Sequence, residues 1–121
     1  MSGQLTTHVL DLSRGVPAAG MRVQLWKMSG SASLLLREAV TNSDGRLDRP
    51  LLEGAEFATG KYELLFHAGN YFRTSGGGAA GADGEAFLED IPIRFRITDP
   101  GAHYHVPLLV APGGYSTYRG S

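Results

Sequence analysis

His103-Tyr104-His105-Val106-Pro107-Leu108-Leu109-Val110-Ala111-Pro112 is followed by Gly113-Gly114-Tyr115-Ser116-Thr117-Tyr118-Arg119-Gly120-Ser121, and this segment organises the reading of the chain. It reads as a β-prone run, a Pro-Gly-Gly turn and a second β-prone run. Side chains alternate faces along a strand. His103, His105, Pro107 and Leu109 therefore share one face, and Tyr104, Val106, Leu108 and Val110 the other. In the second run Ser116, Tyr118 and Gly120 share a face. An apolar face behind one carrying two imidazoles, a hydroxyl and a phenol predicts a sheet backed by a core with chemistry in front. Pro107 has no N–H to give to a ladder, so irregular hydrogen bonding is expected there.

The preceding chain has the same character. Helical periodicity is nearly absent, and Gly and Pro clusters recur at short intervals, which predicts an all-β sandwich. Leu5 to Leu12 is the first strand, with Thr7, Val9 and Asp11 alternating with Thr6, His8 and Leu10. Ser13-Arg14-Gly15-Val16-Pro17 turns the chain. Met21 to Lys27 places Met21, Val23 and Leu25 inward and Arg22 and Gln24 outward. Leu34 to Thr41 is a third run, closed by Asn42-Ser43-Asp44-Gly45, and Arg46 opens a short strand through Leu52. Gly60 to His67 follows, then Ala68 to Arg73 as a single helical turn. Thr74 to Glu85, rich in glycine, has the composition of a mobile surface loop. Ile91 to Thr98 alternates again, and Asp99-Pro100-Gly101 leads into the last pair of strands. The reading is eight strands and one short helix in a single domain spanning 1–121, with no internal repeat.

Composition narrows the function. A chain of 121 residues fits one domain able to bury roughly 65% of its unfolded surface. A net charge of −1 gives no electrostatic case for nucleic acid or an anionic membrane. The absence of cysteine excludes disulfides and thiolate metal sites. There is no apolar run of membrane-spanning length and no basic, apolar leader at Met1-Ser2-Gly3-Gln4, so the cytoplasm is the expected setting.

Several residues carry chemistry, each with a plainer alternative. His8 lies mid-strand beside Thr6 and Leu10; a lone histidine there is most often satisfied by ordinary hydrogen bonding. His103 and His105 share a strand face, and a zinc site with His8 is conceivable. No carboxylate or cysteine at recognisable spacing accompanies them, so neither metal nor cofactor is expected. Arg46 reads either as a solvated charge after a turn or as a fixed, planar cation for a substrate carbonyl or an imidazole. Arg119 could anchor the tail or contact an oxygen-rich ring. Ser116 is no triad nucleophile, since no nucleophile elbow surrounds it, and donation of a hydrogen bond to substrate suits it better. The glycines of the long loop lack the Gly-Lys-Ser/Thr context of a phosphate cradle.

His-Tyr-His-Val-Pro-Leu-Leu with Gly-Tyr-Ser-Thr-Tyr-Arg-Gly-Ser resembles the C-terminal signature of the 5-hydroxyisourate hydrolases, the enzymatic branch of the transthyretin-like family. Leu5-Thr6-Thr7-His8-Val9-Leu10-Asp11 and Arg14-Gly15-Val16-Pro17-Ala18 resemble its N-terminal signature. Asp44-Gly45-Arg46 resembles its central one, and Gly60-Lys61-Tyr62 to Tyr71-Phe72 its strand-plus-helix segment. The chain departs from the pattern in its longer Gly/Ala-rich insertion and in Pro112-Gly113-Gly114, where an aromatic is usual. The resemblance implies an eight-stranded transthyretin-like β-sandwich that opens the six-membered ring of 5-hydroxyisourate by hydrolysis. It implies His8, Arg46 and His105 as catalytic residues, with His103 a solvent-exposed strand-entry residue outside the site. Ser116, Tyr118 and Arg119 are the expected substrate contacts. It further implies a homotetramer, a dimer of dimers with its sites in a channel. A non-catalytic carrier of a small ligand is the alternative on the same fold; it would need an open, apolar channel, which these polar residues do not make.

Overall fold

Alternation of apolar and polar residues at every second position gives each strand one face to bury. The computed structural model, which describes residues 3–74 and 86–120, packs those faces between two sheets. The strands are β1 (Gln4–Asp11), β2 (Val16–Pro17), β3 (Arg22–Ser29), β4 (Ala32–Val40), β5 (Leu52–Glu53), β6 (Gly60–Phe66), β7 (Ile91–Ile97), β8 (His103–Ala111) and β9 (Gly114–Thr117). One α-helix, α1 (Ala68–Thr74), and a 3₁₀ turn at Gly54–Glu56 complete the described elements. The first sheet runs β2-β1-β8-β9, with β5 also paired to β1; the second runs β4-β3-β6-β7. Every pairing is antiparallel except that of β1 with β8, which is parallel and holds one register from Gln4↔His103 to Asp11↔Val110. None of the helices among the described residues is long and apolar enough to cross a membrane.

The inward faces match the alternation. Leu5 and Val9 of β1, Val23 and Leu25 of β3, Tyr62, Leu64 and Phe66 of β6, and Tyr104, Val106, Leu108 and Val110 of β8 are buried in one cluster. Each such side chain contributes about 1.5–3 kcal/mol relative to exposure. The edge strand β4 differs: Leu34, Leu35, Leu36 and Val40 remain exposed.

Three segments depart from the sequence reading. Val16–Pro17, expected within a turn, pairs with Leu10 and Asp11, so nine strands are present among the described residues where eight are expected. Arg46 to Leu52, expected as one short strand, touches β1 only at separate points: an Arg46↔His8 bridge, Leu51 N–H to Leu5 C=O, and the two residues of β5. Pro50, which has no N–H, sits between those points and cannot continue a ladder. The Gly-rich loop expected over Thr74 to Glu85 lies, past Thr74, outside the described residues.

Pro107 behaves as its chemistry requires, on one side only. The β1–β8 register passes through His8↔Pro107 without a shift. On the other side the β9 ladder stops at Leu108↔Thr117 and resumes in the same register only at an isolated His105↔Gly120 bridge. The gap falls where Pro107 would owe an N–H to Tyr118. The Pro107 carbonyl instead accepts the Thr117 hydroxyl at 2.7 Å.

Asp11 ends β1 on the buried face with no exposure, the costliest place for a carboxylate. Its oxygens accept the Ser13 N–H and hydroxyl, the Arg14 N–H and guanidinium, and, at 2.8 Å, the Tyr71 hydroxyl of α1. Burial alone would raise its pKa, but the hydrogen bonds from Ser13, Tyr71 and Arg14 together outweigh burial and leave the carboxyl below its ordinary value. Because the folded value is depressed, this stabilisation is present above the unfolded carboxylate pKa and lost as pH falls through the folded one. Asp11→Ala, which leaves the buried Tyr71 hydroxyl proton without its acceptor while the oxygen still accepts from Arg14, is expected to cost about 2–3 kcal/mol. Urea denaturation would show this as a lower midpoint at unchanged slope; a loss below about 0.5 kcal/mol would mean that water replaces the carboxylate at no cost.

Candidate active site

The outward face of the first sheet gathers the polar residues. Gln4, Thr6, His8 and Leu10 of β1 point outward and are half-buried. The parallel register sets Gln4 beside His103, Thr6 beside His105 and His8 beside Pro107. His8 and His105 are thus diagonal neighbours. A strand spacing near 4.8 Å and a two-residue step along the strand put their Cα atoms about 8 Å apart. That separation is on the scale of a small heterocycle lying between two imidazoles.

Arg46 is delivered to the same face by the turn before it. The Asn42 side-chain oxygen accepts the N–H groups of Asp44 (2.9 Å) and Arg46 (3.1 Å), while the Gly45 N–H donates to the Asn42 carbonyl. Gly45 has φ +74°, and a Cβ there would lie 2.3 Å from the Val9 carbonyl oxygen, so only glycine lets the turn press against β1. The Gly45 carbonyl accepts the Val9 N–H at 2.8 Å, and Arg46 bridges to His8 across the antiparallel contact. The Arg46 side chain is left exposed beside the histidines.

His105 is half-buried, and its Nδ1 lies 2.8 Å from the Thr6 hydroxyl oxygen. The same oxygen lies 3.0 Å from Nε2 of His103. The Gly120 N–H donates to the His105 carbonyl at 2.7 Å. A Cβ at residue 120 would come within 2.7 Å of His105 Cδ2, so the tail rests on the ring and needs glycine there. Burial first, then the positive charge of Arg46 and the neighbouring His103 and His8, push the His105 imidazole below its ordinary pKa. It is therefore a neutral proton acceptor at physiological pH.

The six residues expected in the site are not placed alike. His8, Arg46 and His105 come together on one face. Ser116 pairs with Leu109, on that same face but further along β8. Tyr118 is exposed at the sheet edge. Arg119 lies behind the sheet, its guanidinium carbon 4.1 Å from the centre of the Tyr104 ring. His103 is exposed as expected, yet its bond to Thr6 ties it to His105 instead of leaving it apart. Thr6 and Gly120 both lie within the signatures quoted above, but neither is singled out there as a site residue. The alternation of β1 already puts Thr6 on the face of His8, but its meeting with His105 depends on a pairing between the two ends of the chain. Among the described residues no group of three or more His, Cys, Asp or Glu side chains is placed to hold a metal ion.

Two packed sheets, one bearing paired imidazoles and a guanidinium on its outer face, define a transthyretin-type sandwich with proton-exchanging groups. The chain belongs to the HIUase/Transthyretin family, whose model matches residues 5–120. A Rhizobium meliloti (strain 1021) protein named 5-hydroxyisourate hydrolase 2 is 58% identical over 120 residues, covering 99% of this chain and 98% of its own length. The solved structure of Klebsiella pneumoniae 5-hydroxyisourate hydrolase is 37% identical with a TM-score of 0.80, each chain being covered to 100%. The crystal structure of (S)-allantoin synthase is 49% identical with a TM-score of 0.88; the match takes in 99% of this chain and 44% of that longer one.

The electrostatics of the face can be read directly. In an NMR titration His105 should have a midpoint below the ordinary imidazole value, and Arg46→Gln should move it upward by removing a neighbouring positive charge. A midpoint unmoved by Arg46→Gln would mean that the guanidinium is too well screened by water to act on the ring.

Proposed function

We propose that this protein hydrolyses 5-hydroxyisourate to 2-oxo-4-hydroxy-4-carboxy-5-ureidoimidazoline, opening a C–N bond of a cyclic amide. The observation that carries this reading is the meeting of His8, Arg46 and a neutral His105 on one sheet face, in a chain similar over its whole length to proteins named for that activity. Opening the ring needs a base for water, a fixed donor or cation for the developing oxyanion, and an acid for the departing nitrogen. His105, held neutral, takes the proton as the water oxygen bonds to the carbonyl carbon. Arg46 faces the oxygen that gains charge. As the C–N bond breaks, its electron pair stays on nitrogen, which receives a proton from His8 acting as imidazolium; His105 then releases its proton to solvent and His8 takes one back, which closes the cycle. Ser116 and Tyr118 line the approach as substrate contacts. The position of Arg119 over Tyr104 favours its reading as a tail anchor over direct contact with substrate.

A carrier of a small apolar ligand fits these residues poorly. Two imidazoles and an exposed guanidinium would have to be desolvated around it without hydrogen-bonding partners. A cytoplasmic setting is part of the proposal; a chain without cysteine is compatible with a reducing compartment.

Freshly generated 5-hydroxyisourate, followed by its ultraviolet decay against the spontaneous rate, tests the reaction. His8→Asn and His105→Asn should each slow turnover by about 10²–10⁴, with the double variant little worse than either, because the two groups act as one unit. Wild-type decay no faster than the spontaneous rate would remove the proposal.

The reading includes a homotetramer, a dimer of dimers. The site lies on an outward sheet face with Arg46 and His103 exposed, and a facing copy would complete its walls. Light scattering should give a mass near four times 12.9 kDa. A monomer at micromolar concentration would exclude a channel between subunits.

A further inference from the structure

His103 and Thr6 have no part in the chemistry just described, yet they form a continuous side-chain chain ending on His105. The Thr6 oxygen stands between His103 Nε2 at 3.0 Å and His105 Nδ1 at 2.8 Å. A hydroxyl has one proton to donate and two lone pairs to accept with. With both rings neutral, Thr6 can donate to only one of them, and the other must donate to Thr6. Resting on the reading of His105 as the base, we propose that Thr6 and His103 are positioning residues that hold the His105 imidazole as its Nδ1–H tautomer, leaving Nε2 free to take a proton.

Two observations select this direction of the chain, and a third bears on how the ring is held. The two rings are not equivalent: His103 is exposed, so water satisfies its remaining nitrogen in either tautomer, whereas His105 is half-buried. Burial and the nearby positive charge also weaken the His105 lone pairs as acceptors, so the hydroxyl proton goes to His103 and His105 becomes the donor. The ring is also packed against the tail. Gly120 closes on its Cδ2 edge, and the Gly120 N–H is fixed to the His105 carbonyl. A base whose proton sits on the correct nitrogen before substrate arrives avoids a tautomer exchange within the catalytic cycle.

The arrangement is testable without reference to substrate. Ring ¹⁵N shifts of His105 in the intact wild-type protein should show a protonated Nδ1 and an unprotonated Nε2 at a pH above its titration. Thr6→Val keeps the β-branched shape suited to β1 but removes the hydroxyl, and should shift His105 toward the Nε2–H form. In the ultraviolet assay the same variant should lower kcat by about 10–100-fold with KM within about 2-fold, the signature of a lost positioning contact. Thr6→Ser should restore both readouts. His103→Phe, which removes the acceptor but leaves the hydroxyl, should give a smaller change in the same direction. A His105 that stays in the Nδ1–H form in Thr6→Val would overturn the proposal. So would an unchanged kcat in that variant while the wild-type enzyme turns over. If the wild-type protein failed to act on 5-hydroxyisourate but its ¹⁵N spectra shifted as described, the substrate assignment would fall and the tautomer assignment would stand.

Discussion

The parallel pairing of β1 with β8 decides which residues face the core and which meet on the outward sheet face. It joins strands near opposite ends of the chain in one unbroken register of eight pairs. Parallel strands need a long crossover, and here that crossover contains the whole second sheet. The pairing puts four apolar side chains of β8 onto the core and, on the other face, sets Thr6 beside His105. A slip of one residue would exchange those faces, burying imidazoles and exposing Tyr104, Val106, Leu108 and Val110. Burial of those four side chains therefore fixes the register, and the register fixes which polar groups meet. Packing energy on one face thus sets the arrangement of the polar groups on the other.

Around that pair, small residues and buried polar groups handle what strand pairing cannot. Gly45 lets the Arg46 turn lie against β1 where a methyl group would collide with the Val9 carbonyl. Asn42 closes the same turn from its other side. Asp11 ties the end of β1 to Tyr71 of α1, so the strand carrying His8 is fixed at its far end to the helix. Arg119 stacks on Tyr104 and Gly120 bridges to His105, holding the tail across the gap left by Pro107. Each contact is modest, and each holds backbone that would otherwise be free to move beneath the polar side chains of the outward face.

Much of this was legible in the sequence because it follows from local period. The alternation of β1, β3, β6 and β8 gives the buried faces, and it puts His8 and the pair His103 and His105 on outward ones. The missing N–H of Pro107 foretells the broken ladder beside Tyr118. What stayed hidden depends on contacts between distant segments. That Val16–Pro17 pairs back onto β1, and that Arg46 to Leu52 merely touches it, depends on the path of the chain across an edge, not on propensity. The inward position of Asp11 is visible from its period; its partners Tyr71 and Arg14 are not. The link from His103 through Thr6 needs a cross-strand neighbour that a single sequence cannot name. Gly120 reads as an ordinary tail glycine until the ring beneath it is seen.

The separation along the chain of Thr6 and His105, 99 residues, has a consequence in time as well as in space. Closing a loop of that length is among the last and slowest events of folding, because its entropic cost precedes any contact that repays it. During synthesis the second sheet can pair strand to neighbouring strand as it emerges, while β1 must wait for β8. Until then its hydrophobic face and open edge are exposed to other chains. A ribosome-bound fragment that ends before β8 would thus hold a nearly finished half-sandwich with nothing paired to Thr6 and His8 on that edge of β1. The polar face that joins Thr6 to His105 is therefore assembled only when the two ends of the chain meet.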